Sequence, residues 1–227
     1  MSFAKRVIDY HDTLDAGWEL PPGIEILFPY DGEETMRSLT AFYKKYYDDD
    51  RPRAGIFGIN PGRFGAGVTG VPFTDPIRLE EEVGISNNFK KRQELSSVFV
   101  YQVINAWGGP EEFYKTFYIS SVSPLGFTKN GRNYNYYDDK KIKEAVRPHI
   151  IEHLEAQLEL GVTEKVAVCM GRGKNSTFLE KLNEEEELFD DILTLPHPRW
   201  VMQYRRVRVE AYVGKYLEKL RRAAEKL

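Results

Sequence analysis

The chain has 227 residues, 41% of them apolar and 30% charged, with a net charge of −3. That length and apolar content bury one substantial core, so one domain is expected over residues 1–227. The near-neutral balance excludes polyanion binding through the whole surface and leaves only a local basic patch.

Residues 1–32 carry PPG and weak periodicity and read as an N-terminal arm, with a short helix near Phe3 to Leu14. Glu33 to Tyr47 reads as a helix with Met36, Leu39, Phe42 and Tyr43 on one face, opened by Asp31 or Gly32 and ended by DDDRP. RAGIFGIN, Arg53 to Asn60, is a buried strand. The irregular stretch from there to Asn88 exceeds an ordinary connection, which marks a working loop. Gln93 to Trp107 is helical and is stopped by GGP. FYISSVSPL, Phe117 to Leu125, is the second strand, and FTKNGRNYNYYDD after it is a polar, aromatic-rich loop. Lys140 to Leu160 is a helix opened by Asp138 or Asp139 and closed by Gly161, with Pro148 kinking or splitting it.

EKVAVCMG, Glu164 to Gly171, is the third strand. Its Cys169 is the only cysteine, which excludes an internal disulfide, and it reads as a small buried hydrophobe. A helix from Ser176 to Leu182 and the solvated acidic run NEEEELFDD follow. DILTL, Asp191 to Leu195, is the fourth strand and ends in PHPRW. The last helix, Gln203 to Ala224, is expected to bury Val207, Tyr212, Tyr216, Leu217 and Leu220. Strands and helices alternate throughout. The expected fold is therefore α/β, a three-layer αβα sandwich around a mostly parallel four-stranded sheet, with ligands beyond the carboxyl ends of its strands. No apolar run approaches ~18 residues and no cationic leader pattern opens the chain, so the expected setting is the cell interior.

Several chemistries find no support. GINPGRFG is neither a GxxxxGK phosphate loop nor a dinucleotide fingerprint. GRGKNS, Gly171 to Ser176, follows a strand and precedes a helix, and a flexible helix start explains it as well as an anion site does. His149 and His153 sit four apart with no third metal ligand and read as surface or helix-packing residues, so neither metal nor other cofactor is expected. The positive signals lie at strand ends: Asn60 after the first, Ser121 and Ser123 at the second, His197 after the fourth. Asn60 can hold a water or carbonyl, or merely form a turn. His197 can donate to an oxygen gaining charge, or serve structure between Pro196 and Pro198. Phe73 can stack on a ring or fill core. Ile192 to Val209 holds no acid but carries Arg199, Arg205, Arg206 and Arg208 with Trp200 and Tyr204, a pattern suited to gripping DNA. Pairing of those arginines with the acidic run at 184–191 is the alternative.

Three blocks, GINPGRFGAGVTGVPF from Gly58 to Phe73, FYISSVSPLGFTKNGRN, and LPHPR, resemble the uracil-DNA glycosylase superfamily. The likeness is closest to its single-strand-selective monofunctional branch and that branch's bacterial relatives. The resemblance implies a monofunctional hydrolase of the N-glycosidic bond of uracil in DNA, with hypoxanthine or xanthine as competing bases, acting in base excision repair. It implies Asn60 and His197 as catalytic residues, and Gly58, Ile59, Gly62, Phe73 and Ser121 around the base. Arg63, Arg132, Arg199, Trp200, Tyr204 and Arg205 would meet DNA, single- or double-stranded, and Arg63 would partly fill the space beside Gly62. It further implies a monomer in the bacterial cytoplasm. Two departures stand out. Ser121 occupies the position where the branch has a base-reading asparagine, and PHPRW shortens the usual HPSPR motif. The competing readings are a catalytically idle nucleic-acid-binding module on the same fold, and a hydrolase of free nucleosides.

Overall fold

The computed structural model describes residues 1–227. In chain order the elements begin with α1 (Phe3–Thr13), β1 (Ile24–Leu27), α2 (Glu33–Tyr46), β2 (Arg53–Gly58), α3 (Ala66–Thr69), α4 (Pro76–Glu81), α5 (Leu95–Trp107), α6 (Pro110–Thr116) and β3 (Phe117–Ser121). They continue with β4 (Gly126–Lys129), β5 (Arg132–Tyr134), α7 (Lys140–Glu159), β6 (Val162–Met170), α8 (Lys174–Glu186), β7 (Ile192–Leu195), α9 (Pro198–Tyr204) and α10 (Val209–Ala224).

The four expected strands form one sheet in the order β3-β2-β6-β7, and every pairing in it is parallel. Its strands are buried on both faces, which is why they read as continuous apolar runs. On one face Ile56, Ile119, Met170 and Leu195 meet Val100 and Val103 of α5 and Tyr216 and Leu220 of α10. On the other, Ser120 faces His153 of α7 and Cys169 faces Asn175 of α8. The result is the three-layer αβα sandwich.

The structure departs from the sequence reading at several points, among them the short helices α3, α4 and α6, which it did not expect. Residues 1–32 contain the expected helix, α1, but are packed on the domain and not an extended arm: α1 buries Phe3, Ala4 and Val7, and β1 pairs with β4. The 126–138 loop contains β4 and β5, which complete a small antiparallel sheet, β1-β4-β5. Pro148 sits inside α7 without splitting it. The last helix is broken: α9 ends at Tyr204, a 3-10 turn covers Arg206–Arg208, and α10 starts at Val209. Val207, expected in the core, stands fully exposed on that turn.

The tyrosine excess has a structural use at the α1–α2 corner. Arg53 is fully buried there, with its guanidinium carbon 4.8 Å from the Phe3 ring centroid and 4.7 Å from that of Tyr47. Its Nε donates to the Tyr114 carbonyl at 2.8 Å, and Nη1 pairs with Asp49 at 2.9 Å. Replacing this cation with an apolar side chain strands those acceptors. Arg53→Met is therefore expected to cost about 3 kcal/mol of unfolding free energy, read from urea denaturation.

Candidate active site

The parallel ladder continues past the formal strand ends and sets the site. Val122 N–H donates to the Gly58 carbonyl and Ser123 N–H to that of Ile59, both at 3.0 Å. These bonds hold the residue after Ile59 beside the SVSPL turn. Asn60, Phe73, Ser121 and His197 line one cavity of about 420 Å³, together with Gly58, Ile59 and Gly62. That size suits a small-molecule ligand.

Asn60 is held from the loop after β5. Its Oδ1 accepts from Tyr136 N–H at 3.4 Å, and its Nδ2 donates to the Tyr134 and Pro61 carbonyls at 3.4 and 3.3 Å. The amide is thereby oriented, and Oδ1 keeps a lone pair for a further donor. Tyr136 is itself fixed: its hydroxyl donates to Asn175 Oδ1 at 2.6 Å. Asn175, almost fully buried, donates in turn to the Gly58 and Met170 carbonyls at 3.4 Å. Neither residue was expected to matter. Asn175 hides in GRGKNS, where it serves strand-end packing, and Tyr136 hides in NYNYY.

Phe73 adopts a φ of 52°, a left-handed conformation rare for a bulky residue. Strain of this kind persists where surrounding structure imposes it. Its ring presses on Gly58, where a Cβ would lie 2.8 Å from Cζ, so only glycine allows this approach. The ring centroid is 6.0 Å from that of His197.

His197 caps α9. Its Nδ1 accepts from Arg199 N–H at 3.2 Å, which leaves the ring proton on Nε2. Burial first, and then the Arg199 charge, push its pKa down to about 4. The imidazole is therefore neutral at physiological pH and presents a single N–H donor.

Ser121 donates its hydroxyl to the Ser123 carbonyl at 2.8 Å, and Ser123 donates its own to Leu125 at 2.9 Å. Ser121 Oγ thus retains only acceptor capacity. Behind it the cavity continues to Tyr10, His11, Tyr43 and His153. His153 Nε2 donates to the Ser121 carbonyl at 2.9 Å, so its Nδ1 accepts from the Tyr10 hydroxyl at 2.5 Å. His153 packs as a helix residue should, yet it also walls the cavity. His149 instead stacks on Trp18 with ring centroids 4.3 Å apart.

The residues expected to meet DNA divide. Arg199 lies at the cavity rim. Trp200, Tyr204 and Arg205 are exposed outside it, with the Arg205 guanidinium carbon 4.8 Å from the Trp200 ring centroid. Arg132 is exposed on β5. Arg63 turns its head group away from the loop's own backbone toward the β4–β5 turn. Its guanidinium donates to the Gly131 carbonyl and lies 4.5 Å from the Phe64 ring centroid. Glu94 and Asn133 stand over Gly62. The acidic run pairs with Arg147, Lys181 and Lys226, leaving the 199–208 arginines without carboxylate partners. No three histidine, cysteine or acidic side chains gather into a metal-binding set. No helix is long and apolar enough to cross a membrane.

The family model described as the uracil DNA glycosylase superfamily matches residues 44–221. A solved structure titled "The crystal structure of WT Pedobacter heparinus SMUG2" is 48% identical to this chain. It covers 97% of both chains and superposes with a TM-score of 0.95. No curated protein matches. The chain belongs to the uracil-DNA glycosylase superfamily, in its SMUG branch, and is a monofunctional hydrolase of the N-glycosidic bond of uracil in DNA.

Proposed function

We propose that the Asn60–Phe73–His197 cavity receives a deaminated base turned out of DNA, and that the enzyme acts there as a monomeric single domain inside the bacterial cell. The observation that carries this reading is convergence. An oriented amide, a half-buried phenyl ring and a neutral imidazole, distant in sequence, line one cavity at the sheet's carboxyl edge.

Each group has a physical task. Phe73 stacks on the base. Asn60 Oδ1 holds the attacking water. The C1′–N bond loosens first, and negative charge gathers on the departing base. His197 Nε2–H donates to the base oxygen that takes up this charge. A neutral donor held in place before substrate arrives stabilises such an anion without reorganising. DNA phosphates help to offset the cationic character of the sugar. The site has no lysine for an imine, so the product is an abasic site without strand nicking.

Ser121 sets the choice of base. As an acceptor only, it favours a ring N–H. Uracil, hypoxanthine and xanthine carry one where cytosine and adenine carry a lone pair. One hydroxyl therefore sorts uracil from cytosine and hypoxanthine from adenine, but not xanthine from guanine. Guanine and thymine share the N–H, so within matched duplex they are spared by the cost of eversion, which is least for mispaired or unpaired bases, and not by Ser121. The same cost favours single strands and mismatches over matched duplex.

The test is a panel of oligonucleotides, single-stranded and duplex, each with one modified base, scored by alkali cleavage at abasic sites. Cleavage at uracil, hypoxanthine and xanthine, absent at cytosine and adenine, is expected. Equal cleavage at cytosine contradicts the role given to Ser121.

Arg199, Trp200, Tyr204 and Arg205 would follow the sugar-phosphate chain, joined by Arg63 and Arg132 across the cavity mouth. Arg205→Ala is expected to weaken binding to all sequences alike and lower the log K against log salt slope by about 1. Titration at several salt concentrations measures both.

A further inference from the structure

Glu94 is a carboxylate that the proposed roles leave unused. It lines the same cavity as Asn60 and His197. It precedes α5 as the N-cap residue, yet its side chain makes no capping hydrogen bond. Its carboxylate hangs over the glycine loop. A Cβ on Gly62 would lie 3.2 Å from Oε1, and one on Gly65 would overlap Oε2, so the loop is glycine where this carboxylate approaches. Asn133 Nδ2 reaches the same point over Gly62, at 3.4 Å. No cation pairs with Glu94: its side-chain partner is the Ser97 hydroxyl at 3.2 Å. A carboxylate set among protein atoms without a counterion is costly, which makes it a candidate for function.

We propose that Glu94 is the proton acceptor for the attacking water, which stands over Gly62 between Asn60, Asn133 and the carboxylate. This rests on the water site assigned to Asn60. In the step, the water oxygen bonds to C1′ and one water O–H breaks, its proton passing to Glu94. The C1′–N pair leaves with the base, whose anion His197 steadies. Glu94 then returns its proton to solvent.

The surroundings suit the task. Burial first, then the Asp75 charge, push the Glu94 pKa up to about 7, against the Ser97 hydrogen bond and the Arg199 charge, which lower it. The charged groups facing it are Asp75 at the start of α4, itself 3.8 Å from Arg78, and Arg199 on α9. An acceptor half-ionised near neutrality is matched to general-base work. The base form must be ionised, so the rate rises with pH through about 7 and levels above it.

The experiment is single-turnover release of uracil from single-stranded DNA between about pH 5 and 9, for wild type, Glu94→Gln, Glu94→Asp and Asn60→Ala. Glu94→Gln is expected to be about 100-fold slower at high pH and to lose the acid limb, while Glu94→Asp keeps the limb at an intermediate rate. Its melting temperature checks folding and the charge together. A raised carboxyl pKa gives stability that is full below the ordinary 4.5 and lost as pH rises through about 7. Glu94→Gln should therefore melt above wild type in alkaline buffer and match it in acid. A Glu94→Gln enzyme at the wild-type rate overturns the proposal. So does a slow one that keeps the acid limb, which would make Glu94 a positioning residue. Asn60→Ala at the wild-type rate instead fails the water site on which the proposal rests.

Discussion

Asn60→Ala is expected to slow base release by about 100-fold or more, with little change in the Kd for DNA. The amide has its orientation fixed by Tyr136 and Tyr134, so its freedom is spent before substrate arrives. Alanine leaves the water undirected, and a small misplacement of a reacting atom costs about two orders of magnitude. Asn60 is surrounded by backbone partners and only half-buried, so alanine should leave the fold intact. Single-turnover kinetics at saturating enzyme separates the chemical step from binding. A rate within a few-fold of wild type, with the fold intact, would remove Asn60 from the mechanism.

His197→Ala is expected to be as damaging, about 100- to 1,000-fold, because it removes the donor to the oxygen on which charge grows. Its pH signature is distinctive. The pKa of about 4 keeps the ring neutral across the working range, so His197 contributes no titration there. The variant should lower the rate at every pH above about 5 by a similar factor, leaving the shape of the profile intact. Glu94→Gln should change the shape. The two variants therefore report different events, charge on the leaving base and proton removal from water. A His197→Ala profile that shifts its midpoint would mean a charged imidazole and contradict the neutral-donor account.

Much of the fold was legible because parallel strands buried on both faces write themselves as unbroken apolar runs, as in RAGIFGIN and VAVCMG. The strand ends were legible for the same reason: Gly58, Leu195 and their flanking loops break those runs abruptly. The small antiparallel sheet was not. Its β5 is three mostly exposed polar residues with no alternation, and only pairing to β4 makes it a strand. The break in the last helix is equally silent, since no glycine or proline marks Arg205 to Arg208.

In the site, Asn60, Phe73 and His197 could be named from motif position. The residues that orient them could not. Asn175 and Tyr136 act through contacts between distant segments, and neither follows from local pattern; nor does Glu94, the proposed proton acceptor. Ser121 could be read as a departure from the branch. Its acceptor-only character depends on the hydrogen bond to Ser123, which only coordinates reveal.

The most direct measurement is a crystal structure of the enzyme with DNA carrying an uncleavable uracil nucleotide. The account places the everted base against Phe73, a base oxygen within hydrogen-bond distance of His197 Nε2, the ring N–H toward Ser121 Oγ, and a water on Asn60. A base bound elsewhere, or one whose oxygen turns away from His197, would contradict it.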